Sequence, residues 1–219
     1  MSLTLHFHPL ASFCWKALVA LYENDTPFTP NIVDLEDERS RAAFLKLWPL
    51  GKFPVLEDTA RDRVVPESSI IIIEYLATHY PGRAALLPAD PDTALRVRLA
   101  DRFYDFYVHE PMQRVVADRL RPEDRRDAFG VEQARAQIRT SYAIIEHGMA
   151  DRDWAAGSSF TMADCAAMPS LFYANKVEPF GKEHANVARY HDRLLARPSA
   201  VRVIEEAKPY FHMFPYNKG

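Results

Sequence analysis

Two side chains at the first strand-to-helix junction, a serine and a cysteine, are of types that could carry chemistry. The stretch HFHPLASFCWKALVAL, residues 6–21, places Ala11, Ser12 and Cys14 where a strand-like segment gives way to a helix. The first turn of a helix has unpaired backbone N–H groups and a partial positive charge, so it favours a bound anion. A serine hydroxyl there would donate a hydrogen bond, whereas a cysteine would act as a thiolate nucleophile.

Both reactive side chains have structural alternatives. Ser12 is a suitable N-cap for the helix. Cys14 lies with Ala17, Leu18 and Leu21 on a stripe of helical spacing, which favours a buried, unreactive thiol over a nucleophile. The residues alone therefore leave open whether Ser12, Cys14 or the backbone N–H groups hold an anion.

Two further motifs follow later in the chain, GKFPVLED at 51–58 and PESSIIIIEYL at 66–76. Phe53 precedes a proline, and taken alone this pattern is a turn before an edge strand. Ser68 stands where a helix begins, a position at which serine is a favoured N-cap and free N–H groups bind carboxylates. These motifs become informative through their order and spacing together.

The elements that must position these residues alternate between strands and helices in the first part of the chain. Strand patterns in LTLHFH, FTPNIVD, FPVLED and RVVPE, and helical patterns between and after them, give the order βαβαββα. Prolines and a glycine break the pattern over 81–91, and only helical patterns follow, one of them interrupted at Pro111. We predict an α/β domain over 1–80, a linker over 81–91 and an all-α helical domain over 92–219.

This arrangement resembles the glutathione transferase superfamily over nearly the whole chain. The resemblance implies a thioredoxin-like N-terminal domain and an all-α C-terminal domain. It also implies a cis Phe53–Pro54 bond, which would expose the Phe53 backbone to pair with the cysteinyl part of glutathione. Lys52 would contact the glycyl end of the tripeptide, Glu67 its ammonium group and Ser68 its γ-glutamyl carboxylate.

The same resemblance gives the helix start the role of holding the glutathione sulfur. Lowering the pKa of a thiol by about two units requires about 2.7 kcal/mol of stabilisation of the thiolate. Counting back from KALVAL, the position that carries serine or cysteine in related classes falls on Ala11, which has no donor. We predict that Ser12, the next residue, is the catalytic hydroxyl.

Two features of the C-terminal half extend the resemblance. Thr161 and Asp164 in FTMAD form a predicted capping box, which is a folding feature. Phe103, Tyr104, Tyr107 and Met112 have helical spacing, and the three aromatic residues would line a hydrophobic substrate site between the domains, with core packing as the alternative for such aromatic residues. The aromatic tail PYFHMFP is expected either to fold over the cleft or to seal the helical domain.

Composition and charge argue against several functional classes. The 219 residues are 48% hydrophobic and 26% charged with a formal charge of −3, and they contain no concentrated basic stretch suited to nucleic acid. The sequence has no apolar run of membrane-spanning length and no signal-peptide pattern. Two cysteines in a chain of this length are typical of reduced thiols, so we expect a cytoplasmic location. The scattered histidines predict no metal site, although His6 and His8 share one face of a strand.

We therefore predict a cytoplasmic, homodimeric glutathione transferase of detoxification type. Glutathione would be the co-substrate, and a small hydrophobic electrophile the second substrate. Two alternatives remain, namely a glutathione-dependent thiol-disulfide reductase acting through Cys14 and a glutathione-binding protein with little transferase activity.

Overall fold

The N-terminal part of the chain forms a four-stranded sheet covered by helices. The computed structural model describes residues 2–66 and 69–216, so Glu67 and Ser68 lie outside the described residues. The elements of this part are β1 (Leu3–Phe7), α1 (Ser12–Glu23), β2 (Thr29–Ile32), α2 (Glu38–Leu47), β3 (Val55–Asp58), β4 (Arg63–Pro66) and α3 (Ser69–His79). The predicted order βαβαββα is confirmed.

The sheet is mixed, with the strand order β2-β1-β3-β4. β1 pairs in parallel with β2 and antiparallel with β3, and β3 forms a hairpin with β4. Leu3, Leu5 and Phe7 of β1 are buried, as their period-2 spacing predicts. The carboxyl ends of β1 and the parallel strand β2 therefore lie at the same end of the sheet, and the chain enters α1 there.

The C-terminal part of the described chain is helical, and it is made of α4 (Pro91–Phe103), a π-helical segment (Tyr104–His109), α5 (Glu110–Arg119), α6 (Ala128–Gly148), α7 (Met162–Val177), α8 (Ala185–Leu195) and α9 (Pro198–Ala207). Short 3₁₀ turns lie at Glu123–Arg125 and Lys208–Met213. The predicted interruption of the helix near Pro111 takes the form of this π-helical segment, which ends just before α5 begins. Within the described residues, no helix combines the length and the apolar character that crossing a membrane requires.

Helix α1 is the central element that joins the two parts. It packs against α3 of the sheet domain and against α7 and α9 of the helical domain. Ser12, Lys16 and Glu23 are buried together with its apolar stripe. The buried surface of α1 is therefore wider than the single apolar stripe that its spacing predicts. Helices of the C-terminal part cover the polar face of α1 as well.

The predicted capping box at the start of α7 is confirmed. The Asp164 carboxylate accepts hydrogen bonds from the Thr161 amide at 2.8 Å and the Ala155 amide at 2.8 Å. Tyr190 of α8 donates to the same carboxylate at 2.6 Å. Asp164 is fully buried, so it organises the helical domain and does not face a cleft.

Candidate functional site

Ser12 is the first residue of α1, and Ala11 is its N-cap. The alternative in which Ser12 caps the helix is therefore wrong. The amides of Cys14 and Trp15 donate to the Ala11 carbonyl at 2.8 and 3.2 Å. Among the described residues, the amides of Ser12 and Phe13 have no acceptor. Two N–H groups and the positive end of the helix dipole are thus available beside the Ser12 hydroxyl.

The loop that leads into α1 is fixed by aromatic donors. Trp15 Nε1 donates to the Pro9 carbonyl at 2.5 Å, and the hydroxyl of Tyr173 on α7 donates to the Leu10 carbonyl at 3.0 Å. These bonds satisfy loop carbonyls that neighbouring side chains would otherwise shield from water. They hold the start of α1 in place relative to the helical domain.

Ser12 is only 3% exposed, and its hydroxyl lies against the helical domain. Its oxygen is hydrogen-bonded to His109 Nε2 at the end of the π-helical segment. The amide nitrogen of Gln113 on α5 donates to the same oxygen at 3.1 Å. Reasoning from the sequence missed His109 and Gln113, because they lie about a hundred positions along the chain and belong to no motif of recognisable spacing.

A small cavity of about 160 Å³ opens between Ser12 and the helical domain. Its lining is mostly apolar and consists of Leu10, Met112, Val116, Leu120, Tyr173 and residues 213–215, together with Ser12 and Gln113. The C-terminal aromatic segment therefore lies over this cavity, which is one of the two positions expected for it. The arrangement combines a hydroxyl, free amides and an apolar space.

The three aromatic residues predicted to bind substrate lie elsewhere. Phe103, Tyr104 and Tyr107 line a second cavity of about 550 Å³ between α4 and α6, and none of them lines the cavity at Ser12. Met112, which follows the π-helical segment, does line the Ser12 cavity. A π turn contains an additional residue, which rotates the following side chains by about 100° around the axis. Spacing alone could not show which aromatic side chains would face Ser12.

Cys14 is fully buried beside this site. Burial raises the pKa of its thiol, and the small opposing effect of a hydrogen bond to the backbone at His8 does not offset it. A neutral, inaccessible thiol is a poor nucleophile. The geometry therefore opposes the alternative in which Cys14 performs thiol-disulfide exchange.

The turn before β3 contains the predicted backbone-binding residue. The Phe53–Pro54 bond is cis, as the resemblance implied. The Phe53 ring stacks on Phe44 of α2 with a centroid distance of 4.9 Å. Among the described residues, no hydrogen bond occupies the backbone N–H or carbonyl of Phe53. Gly51, at φ = 63°, gives this turn a left-handed conformation that favours glycine, and it places the exposed Lys52 next to Phe53.

Comparison with known proteins identifies the family of this fold. The sequence profile for "Glutathione S-transferase, N-terminal domain" matches residues 5–84, and that for "Glutathione S-transferase, C-terminal domain" matches residues 103–198. The chain belongs to the glutathione S-transferase family.

Individual relatives are similar to this chain over most of its length. Glutathione S-transferase GstB of Escherichia coli is 23% identical over 86% of this chain and 91% of its own. FtsZ-localized protein A of Caulobacter vibrioides is 27% identical over 94% of this chain and 92% of its own. The crystal structure of a glutathione S-transferase of Methylobacterium radiotolerans in complex with glutathione sulfonate is 30% identical, covers 92% of this chain and 94% of its own, and superposes with a TM-score of 0.78.

Proposed function

We propose that this protein is a glutathione transferase that stabilises the thiolate of glutathione for attack on a small hydrophobic electrophile. The observation that carries the proposal is the buried Ser12 hydroxyl at the start of α1, beside an apolar cavity and two amides that have no acceptor among the described residues. In the reaction, the thiolate forms a thioether bond to the electrophilic carbon, and the electron pair of the broken bond leaves with the departing group. Stabilising the thiolate and holding both reactants together supply the rate enhancement.

Glutathione would bind along the turn before β3. The Phe53 backbone, which has no hydrogen-bond partner within the described part of the chain, offers an N–H and a carbonyl to the cysteinyl part of the tripeptide. Lys52 offers a positive charge to its glycyl carboxylate. Glu67 and Ser68, which lie outside the described residues, complete the proposed site at the γ-glutamyl end. A family member from Methylobacterium radiotolerans with glutathione sulfonate bound supports this part of the proposal.

The electrophile would enter the cavity at Ser12. A buried apolar cavity of about 150 Å³ holds one benzene molecule, so about 160 Å³ suits a single-ring or similarly small apolar compound. This assignment replaces Phe103, Tyr104 and Tyr107 as the proposed substrate-binding residues with Leu10, Met112 and Val116. A detoxifying role fits such a site, because its apolar lining selects mainly by size.

The second cavity fits a contact between subunits. Leu99, Phe106, Tyr107 and Ile144 line it and are each half or more exposed. An exposed apolar patch of this kind is typical of an interaction surface. We include a homodimer in the proposal, with this face of the helical domain against the sheet domain of the neighbour. The two free, buried thiols support a reducing, cytoplasmic location.

Titration of the protein with reduced glutathione in a calorimeter, followed by steady-state kinetics with a single-ring chlorinated nitroarene, tests the proposal. The wild-type protein should bind glutathione, and Ser12→Ala should lower kcat/KM by about 100-fold, as the loss of one donor at a developing charge does. Ser170→Ala is the matched control, because this buried serine donates only within its own helix, to the Ala166 carbonyl at 2.7 Å. The absence of heat on addition of glutathione would contradict the proposal.

Two observations favour a second candidate, a glutathione-binding protein with little transferase activity. Ala11, at the helix N-cap, has no hydroxyl. FtsZ-localized protein A, which is similar to this chain over 92% of its own length, has a name that does not describe a transferase. Under this candidate, glutathione would bind to the wild-type protein while the pKa of its thiol stayed at the value in solution. Spectroscopic titration of the bound thiol separates the two candidates.

A further inference from the structure

The Ser12 oxygen has two polar neighbours that determine what its proton can do. His109 Nε2 and Gln113 Nε2 both lie within hydrogen-bond distance of it. A hydroxyl accepts two hydrogen bonds and donates one. If both neighbours donate, the Ser12 proton has no acceptor in this cluster and is available to a ligand. If His109 accepts instead, the proton is used within the protein.

The other nitrogen of His109 decides between these two arrangements. His109 is 2% exposed, and its Nδ1 atom is buried with no hydrogen-bond partner among the described residues. With the proton on Nδ1, a buried N–H donor would be unpaired. With the proton on Nε2, the unpaired group is an acceptor lone pair, which proteins tolerate more readily than an orphaned N–H. Gln113 Nε2 also lies 3.4 Å from His109 Nε2, but its shorter contact, 3.1 Å, is to the Ser12 oxygen. The second tautomer is therefore favoured, and in it the Nε2–H of His109 and the amide of Gln113 share the Ser12 oxygen as acceptor.

The ring of His109 is neutral, so it has only one proton to place. Burial, assisted by the positive charge of Lys16, lowers the pKa of His109 to about 3, against a weaker opposing effect of Glu110. Phe13 packs against the ring with a centroid distance of 4.1 Å and fixes its orientation. The imidazole is therefore neutral at neutral pH, and it has a single N–H group to donate.

We propose that His109 and Gln113 are positioning residues that both donate to the Ser12 oxygen and thereby direct the Ser12 proton toward the cavity, as the donor to the glutathione thiolate. This inference rests on the proposed function. It explains how a serine one residue beyond the expected position acts as a donor, since partners from the helical domain orient it.

The test is the pKa of the bound glutathione thiol, followed through the ultraviolet absorbance of the thiolate as the pH is varied. His109→Phe keeps the aromatic packing on Phe13 and removes the donor, and it should raise the thiol pKa by about one unit, a tenfold loss of thiolate. Gln113→Met, at an exposed position, should raise it in the same direction. His109→Gln restores an amide donor and should recover part of the shift.

Two controls distinguish positioning from a structural effect. In a Ser12→Ala background, His109→Phe and Gln113→Met should leave the thiol pKa unchanged, because both act through the missing hydroxyl. His191→Phe removes another buried histidine with an unpartnered ring nitrogen, on α8, and should not alter the thiol pKa.

The outcomes separate this inference from the proposed function. If glutathione binds to every variant and the thiol pKa is unchanged or lowered by both His109→Phe and Gln113→Met, the positioning role is overturned alone. A lowered value would mean that His109 accepts the Ser12 proton. If the wild-type protein does not bind glutathione, both proposals fail. Gln113→Met gives the decision if His109→Phe does not fold.

Discussion

The ammonium group of Lys16 lies 2.6 Å from a carboxylate oxygen of Asp101, and both side chains are almost completely buried, at 1% and 0% exposure. Lys16 belongs to α1 and Asp101 to α4, so this ion pair joins the sheet domain to the helical domain. Asp105 lies 2.9 Å from the same ammonium group, and Arg102 pairs with both carboxylates. The cluster therefore contains two positive and two negative charges.

Replacing Lys16 with methionine should destabilise the protein by about 3 to 5 kcal/mol, because it leaves buried carboxylates without their partner. The free energy of unfolding from equilibrium urea denaturation measures this loss. Arg98→Met is the matched control, because Arg98 joins the same two domains through a partly exposed pair with Glu74 at 2.7 Å. It should cost less than about 1 kcal/mol. Equal losses in the two variants would contradict the role assigned to burial.

The interaction of Glu23 with α9 should make stability depend on pH. Burial alone would raise the pKa of Glu23, but hydrogen bonds from Arg197 and Ser199 and the charge of Arg197 outweigh it and hold the pKa below its ordinary value of 4.5. The carboxylate therefore stabilises the folded state fully above about pH 4.5, and this contribution is lost as the pH falls through the lower folded value.

The variant Glu23→Gln measures this contribution. It should lose about 2 kcal/mol of stability near neutral pH, the magnitude of charged hydrogen bonds, and the difference from wild type should shrink as the pH falls below 4.5. Urea denaturation across this range is the measurement. A difference that stays constant with pH would show that Glu23 contributes through packing and not through its charge.

Neither cysteine should react in the folded protein. Cys14 and Cys165 are both fully buried, and burial raises the pKa of each thiol. A thiol-specific colorimetric reagent should therefore label two thiols in denaturant and almost none under native conditions. Cys14→Ala should retain the kcat/KM of the wild type. Rapid native labelling of Cys14 that glutathione blocks would restore the thiol-disulfide reductase as a candidate.

The two cavities should respond differently to substitution. Val116→Phe places a larger side chain in the small cavity at Ser12 and should raise the KM for a single-ring electrophile about 5- to 150-fold, which corresponds to the 1 to 3 kcal/mol that overpacking costs. The affinity for glutathione should not change. Tyr107→Ala, in the larger cavity, should leave that KM unchanged and weaken self-association in analytical ultracentrifugation. The reverse pattern would return the substrate site to Phe103, Tyr104 and Tyr107.

Local sequence signals were sufficient to predict several elements of this fold. Alternation in β1, helical spacing after Ser12 and the Thr161–Asp164 capping box each depend on residues a few positions apart, and the structure confirms all three. The burial of Cys14 was predicted in the same way, from its place on the apolar stripe. Such patterns are readable because strand and helix periods fix which neighbouring side chains share a face.

Which distant side chains contact each other depends on how the helices pack in three dimensions. His109 and Gln113 reach Ser12, and Asp101 reaches Lys16, because the fold brings side chains of α4, the π-helical segment and α5 against the first turns of α1. No local period encodes that packing, and the π turn changes the helix face that Met112 presents relative to Phe103. The choice of Ser12 came from the resemblance and the residue type, whereas the partners that orient its hydroxyl follow from long-range packing of helices against one another.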